Sequence, residues 1–380
     1  MGSEGGERDA GTHDPLPRLR WDHTGVLATR LRGGPGLRVP RVWREHSRRA
    51  GREQTGGRPL SLGLGLAALG RPGYVNLGHA DDLGGRYDEQ VMERRCHDVL
   101  DAAWVGGIRH VDAARSYGLA EAFLASWLAQ RKREPGALAV SSKWGYTYTA
   151  GWSVTAARHE VKDHSLATLT RQLAESRALL GDHLDIYQVH SATLESGVLD
   201  DEHVLDALAV LRDDGSLTVG LTTSGPDQAV VVRRALEIER DGRRLFASVQ
   251  STWNLLEQSA GAALAEAHAE GMLVIVKEAL ANGRLTGRNR DPAFAPAWAR
   301  LTDLAQGADG STVALAAALS RPWADVVLSG AATVEHLRAN LAATTTAGAA
   351  GGTSTAEDVL AEWAEAPEIY WSVRRALPWN

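Results

Sequence analysis

The sequence is short of the residues that several kinds of protein require. Its 380 residues include one cysteine, Cys96, which excludes an internal disulfide and any multi-cysteine zinc or iron–sulfur site. No stretch approaches the roughly 18 consecutive apolar residues of a membrane span. Positive charge is not in surplus: 41 Lys and Arg face 47 Asp and Glu, a formal net charge of -6. A nucleic-acid binder would usually carry a clearly basic face. No Walker P-loop, HExxH or GxSxG pattern occurs, so three common phosphate, zinc and serine-nucleophile routes lack support. These absences predict a soluble, cytoplasmic globular protein with neither nucleic acid nor membrane as partner. The oligomeric state stays open.

Residues 1–57 stand apart from the rest. They hold eleven arginines against seven acids, with eleven glycines and no lysine. Neither a helical nor a strand period persists there, and Val26-Leu27-Ala28 is too short for a signal-peptide core. This predicts a disordered N-terminal extension, with a docking arm as the alternative.

From Leu60 onward one unit recurs: a short apolar run, a loop, then an amphipathic helix. The runs begin at Leu62, Ile108, Leu138, Leu184, Leu217, Leu245, Met272 and Asp325. Met92, Cys96, Val99, Leu100 and Ala103 show the helical spacing well, and Gly106-Gly107 ends it. Eight such units over about 280 residues match a (β/α)8 TIM barrel. The expected division is extension 1–57, barrel 58–345 and a C-terminal tail, 346–380, packed on the barrel. Gly63-Leu64-Gly65-Leu66-Ala67-Ala68 fits a relaxed dinucleotide fingerprint, but Gly70-Arg71-Pro72-Gly73 follows where a helix would have to start. The rival open doubly wound sheet is therefore disfavoured.

In such a barrel the reactive groups sit just past the C-terminal ends of strands. Asp112 and Tyr117 follow the second run, Lys143 the third and His190 the fourth. Taken singly, each has a plainer reading: a helix cap, a packed loop ring, a solvated amine, a core imidazole. Together they suit protonation of a carbonyl oxygen as hydride reaches its carbon. A nearby ammonium would lower the tyrosine pKa, the aspartate would hold the ammonium, and the histidine would bond the oxygen.

Three motifs then resemble the aldo-keto reductase family. Val111-Asp112-Ala113-Ala114-Arg115-Ser116-Tyr117-Gly118 is similar to its D-T-A-x-x-Y-G segment, with Ala113 in place of threonine. Ser142-Lys143-Trp144-Gly145 is similar to T-K-x-G, and Leu184-Asp185-Ile186-Tyr187-Gln188-Val189-His190 to L-D-x-Y-x-x-H. The resemblance implies a barrel binding NAD or NADP across its C-terminal mouth, without a Rossmann fold. It implies Tyr117 as proton donor, supported by Asp112, Lys143 and His190. It also implies cofactor contacts from Gly65 and Leu66, from Asp112, from Thr222 and Thr223, and from Gln250 in V-Q-S-T-W-N. Further contacts are implied from Lys277, Leu280 and Gly283 after strand seven, and from Gly330, His336 and Asn340 after strand eight.

Three of these positions depart from the family pattern. Thr223 stands where asparagine is usual, Lys277 where a stacking tyrosine is common, and Gly330-Ala331 where NADP-preferring members place a cation. The departures resemble the aldose- and galactose-dehydrogenase-like branch and leave the choice between NAD and NADP open. Trp144, Tyr146 and Trp253 are the aromatic candidates for a small carbonyl or sugar substrate. His159 and His164 lie five apart, which does not align them on a helix face, and no metal site is expected. The leading expectation is a nicotinamide-dependent oxidoreductase interconverting a carbonyl and an alcohol. A cofactor-binding, redox-sensing partner subunit and a non-redox barrel lyase are the alternatives.

Overall fold

The computed structural model describes residues 20–21, 27–28, 61–349 and 362–380. The expected disordered extension therefore lies outside the described residues, except that Arg20–Trp21 pairs antiparallel with Leu27–Ala28.

Eight parallel strands close into a barrel in sequence order. They are β1 (Leu62–Gly65), β2 (His110–Asp112), β3 (Ala139–Trp144), β4 (Leu184–Ala192), β5 (Thr218–Thr223), β6 (Ser248–Thr252), β7 (Leu273–Lys277) and β8 (Val326–Ser329). Closure comes from β8 against β1, with Val327 opposite Leu62. This excludes the open sheet. A TIM barrel explains the continuous apolar runs, because its strands are covered on both faces.

The matching helices are α1 (Glu89–Val105), α2 (Ala120–Gln130), α3 (Leu166–Leu180), α4 (Glu202–Asp213), α5 (Gln228–Glu237), α6 (Gly261–Ala269), α7 (Gly310–Leu319) and α8 (Val334–Ala349). Side-chain caps set several starts: Asp88 accepts from the Gln90 and Val91 amides, Ser165 from Thr168, Asp201 from Val204 and Asp309 from Ser311. Each satisfies amides that the first helical turn leaves unpaired. No helix among the described residues is long and apolar enough to cross a membrane.

The barrel interior is filled, not hollow. Ile275, Val326 and Leu328 pack inside it, and a Cβ on Gly63 would lie 2.8 Å from Val326 Cγ1 and 2.9 Å from Leu328 Cδ2. Glycine is required there by space. The larger core lies between strands and helices, around residues such as Leu100, Leu124, Leu173, Leu208 and Leu264.

Three additions escape the strand–helix period. The long connection from β1 to α1, residues 66–88, includes only a short helix, His79–Leu83. A hairpin, Tyr146–Tyr148 with Glu160–Lys162, follows β3. A further helix, Ala295–Leu304, precedes α7 and buries only Leu301. Their apolar residues are too few or too exposed to leave a periodic trace. The end of the chain forms α9 (Pro367–Ala376), which buries Tyr370 and Trp371 against the barrel.

Candidate active site

All eight C-terminal strand ends open on one face, where a cavity of about 550 Å³ lies. Asp112, Tyr117 and His190 line one part of it, and Lys277, Gly330 and Asn340 another. Lys143 sits just beneath its wall, 1% exposed.

The tetrad is held by hydrogen bonds between neighbouring strands. Lys143 Nζ pairs with Asp112 Oδ2 and donates to the Ala113 carbonyl at 2.8 Å. Asp112 Oδ1 accepts from Ser141 Oγ at 2.7 Å and from Gln250 Nε2 at 2.9 Å. Lys143 Nζ stands 4.8 Å from the centre of the Tyr117 ring, which meets the His190 ring edge-on at 5.6 Å. His164 Nε2 contacts the His190 carbonyl at 2.9 Å and fixes that strand end.

The electrostatics differ from the sequence expectation in one respect. Burial, and then the Asp112 charge, hold the Tyr117 phenol well above its ordinary pKa, with Arg71 acting the other way. The Lys143 charge is engaged by Asp112, while burial draws the lysine itself below its ordinary value. His190 is driven well below the usual histidine range by burial and by Lys143, Lys277 and Arg71. The mouth thus presents a protonated phenol beside a neutral imidazole. That pair suits proton donation to an oxygen.

The other expected residues divide. Gly65, Thr222, Gln250, Leu280, Gly283 and His336 line the same cavity, as does Tyr146, whose ring lies 4.9 Å from that of His190. Asn340 donates to Ser329 Oγ at 2.8 Å. Four candidates are elsewhere. Trp144 follows Lys143 on the strand, so alternation turns it outward; it is 0% exposed and packs on His164. Trp253 is buried against Trp323, with ring centres 5.8 Å apart. Leu66 belongs to the hydrophobic core. Thr223 is buried, and its hydroxyl pairs with Ser251 Oγ at 2.7 Å. None of these four borders the cavity. The spaced histidines also separate, since His159 stacks on Trp379 at 4.0 Å.

Several lining residues carried no signal in the sequence. Arg71, from the loop after β1, pairs with Glu160 at 2.9 Å and lies 5.1 Å from the Tyr117 ring centre. Glu278 adopts φ 56°, which turns it to the same side as Lys277. Arg374 of α9 grips it through Nε at 2.9 Å. At the far end Arg288 binds Asp82 and stands 3.1 Å from His336 Nε2. Burial lowers the His336 pKa, Asp82 opposes that and Arg288 adds to it. Arg288, from the loop after β7, is thus the arginine beside His336 in this lining. One sequence clue was available: the chain has four lysines, and two of them, Lys143 and Lys277, come to this mouth.

Comparison with known proteins places this site in a family. The chain matches the Aldo/keto reductase family over residues 61–347 and belongs to it. It is 27% identical over 337 residues to Protein tas of Escherichia coli K12 and, equally, to that of Shigella flexneri, covering 75% of this chain and 92% of theirs. Its fold is similar to that of the holo form of aldo-keto reductase AKR11C1 from Bacillus halodurans. The TM-score is 0.60 at 21% identity, over 80% of this chain and 92% of that one. The chain is therefore an oxidoreductase-family barrel, and the family implies NAD(P)H-dependent carbonyl reduction.

Proposed function

We propose that this protein reduces a small polar carbonyl compound, aldoses included, with Tyr117 as proton donor and NADH or NADPH as reductant. The observation that carries the reading is the Tyr117 ring set edge-on against His190 at the mouth, with the Lys143–Asp112 pair buried behind it. The chemistry the cofactor supplies when bound is a hydride for the carbonyl carbon. His190 orients the carbonyl oxygen, and Tyr117 passes its proton to that oxygen as negative charge develops. Lys143 then stabilises the resulting phenolate, and Asp112 keeps the ammonium in place. The rings of Tyr74, Tyr117 and Tyr146 border the space in front, a surface suited to a flat or sugar-like molecule.

The rest of the cavity fits a dinucleotide. The starts of α7, at Ser311, and of α8, after Gly330, offer positive helix ends for phosphates, with the Asn340 side chain also in the lining. Gly330 has nothing within 4 Å of where a Cβ would stand. Thr222 and Gln250 face the catalytic end. Arg288 and His336 are the groups for a 2′-phosphate, but Asp82 already neutralises Arg288. We therefore assign a mixed preference, with NADH and NADPH affinities within about tenfold, about 1.4 kcal/mol. The test is direct titration with both reduced cofactors, followed by a panel of aldehydes, ketones and aldoses monitored through cofactor absorbance. Absence of cofactor binding would end this reading and revive the lyase alternative. Tight retention without turnover would favour the redox-sensing subunit.

A further inference from the structure

Three carboxylates of the cavity lining each have a cation of their own. Asp112 has Lys143, Glu160 has Arg71 and Glu278 has Arg374. Lys277 is the cation left over. Its Nζ donates to Thr252 Oγ1 at 2.9 Å and stands 3.9 Å from Glu278 Oε1, beyond hydrogen-bond range. Glu278 is meanwhile taken by Arg374 and by the Thr252 hydroxyl at 3.1 Å. An ammonium has three protons to donate, so the Lys277–Glu278–Arg374 cluster turns a net positive charge toward the cavity. The field reaches the reacting groups: the same ammonium acts on His190, and Lys143 and Asp112 act on it in turn.

Lys277 also lines the part of the cavity between the helix starts and Tyr117. A molecule with its phosphates at the starts of α7 and α8 that reaches Tyr117 across the mouth meets a floor that includes Lys277, Gln250 and Thr222 at the ends of β7, β6 and β5. A redox ring held over that floor would lie beside Lys277. The ring is neutral when reduced and carries one positive charge when oxidised.

We propose that Lys277 determines redox-state specificity, its surplus ammonium penalising the oxidised cofactor and leaving the reduced one untouched. The inference rests on the reading of this cavity as a nicotinamide site. The overall reaction equilibrium is unchanged. What shifts is the order of affinities, so that reduced cofactor is held and its oxidised product is released readily. A unit charge about 6–12 Å from the ring, at an effective dielectric constant of about 20, changes relative affinity by about one to two orders of magnitude.

The effect should titrate. Burial draws Lys277 down to about 8, with Glu278 and Asp112 opposing and Arg374 and Lys143 adding to the fall. The ionisable groups around it are thus Glu278 beside it in the chain, Arg374 on α9, Asp112 and Lys143 on β2 and β3, and His190 on β4. Lys143 is itself lowered, so the pH dependence is read as the difference between wild type and Lys277→Met.

Calorimetric titration of the full chain with NADH, NAD+, NADPH and NADP+ tests this without turnover. For wild type at pH 7 the Kd of each oxidised form, divided by that of its reduced form, should exceed the Lys277→Met ratio by about tenfold or more. Lys277→Arg should keep the wild-type ratio. Between pH 7 and about 9.5 the wild-type excess should disappear. Should the methionine variant not fold, Lys277→Gln replaces it. An unchanged ratio in the neutral variant, or an equal loss for both redox forms, overturns the proposal. Failure of wild type to bind any of the four would instead remove the cofactor reading on which it rests.

Discussion

The two ends of the cavity are built in opposite ways. At the catalytic end, Asp112, Lys143 and His190 come from the tips of three adjacent strands, each motif complete within a few residues. At the other end, proposed for the cofactor, charge is assembled from distant segments: Arg288 meets Asp82 across 206 positions and Arg374 meets Glu278 across 96. The first end is rigid because it is part of the barrel ladder. The second depends on loops and on α9 closing against the mouth, so its charges can be altered without disturbing the strands.

The largest effect should come from the catalytic end. Tyr117→Phe removes the hydroxyl proposed as proton donor and keeps the ring, so turnover should fall about 10²- to 10⁴-fold with NADH affinity little changed. Single-turnover rates and fluorescence titration check this. A rate within threefold of wild type would remove Tyr117 from the donor role.

Breaking the other end should first be felt as stability. Arg374→Leu leaves Glu278 buried without its main counter-charge, a loss of about 3–5 kcal/mol by comparison with other severed buried pairs. Burial alone would raise the Glu278 carboxyl, yet Arg374 and Lys277 hold it down at about 2. The unfolded value is about 4.3. Because the folded pKa is the lower, this contribution is complete above the unfolded value and is lost as pH falls toward the folded one. Melting curves from pH 7 to pH 2 should therefore show a steep acid decline in wild type and a shallower one in the variant. Parallel declines would show that the pair does not govern acid stability.

Cofactor choice should respond more gently. Asp82→Asn frees Arg288 for a 2′-phosphate, and the NADPH-to-NADH affinity ratio should rise about fivefold, about 1 kcal/mol. A fall in the ratio would mean that Asp82 positions Arg288 more than it neutralises it. The smallest change is expected from Trp253→Phe: it lies behind the strands, so KM should stay within about twofold of wild type while the melting temperature drops. A KM several-fold higher would return Trp253 to the substrate site.

These contrasts mirror what could be read before folding. Asp112, Tyr117, Lys143 and His190 were legible because strand ends in a parallel barrel all point one way, so position along the chain predicts position at the mouth. Trp144 misled because the same strand sends alternate side chains to opposite faces; its place one residue after Lys143 guarantees that it looks away. Arg71, Arg288 and Arg374 were illegible, since an arginine in an irregular segment has no period to reveal its partner.

The sequence by itself determined the barrel, its eight units and the tetrad, because periodicity and strand-end spacing are local properties that survive without coordinates. Tertiary structure alone decided the balance of charge at the mouth. Pairing is a matter of distance between segments far apart in the chain, and a buried charge is felt only once the solvent around it has been excluded. That is why Lys277, which the sequence marks only as a departure from the family pattern, stands out as the surplus cation once Arg374 is seen to hold Glu278.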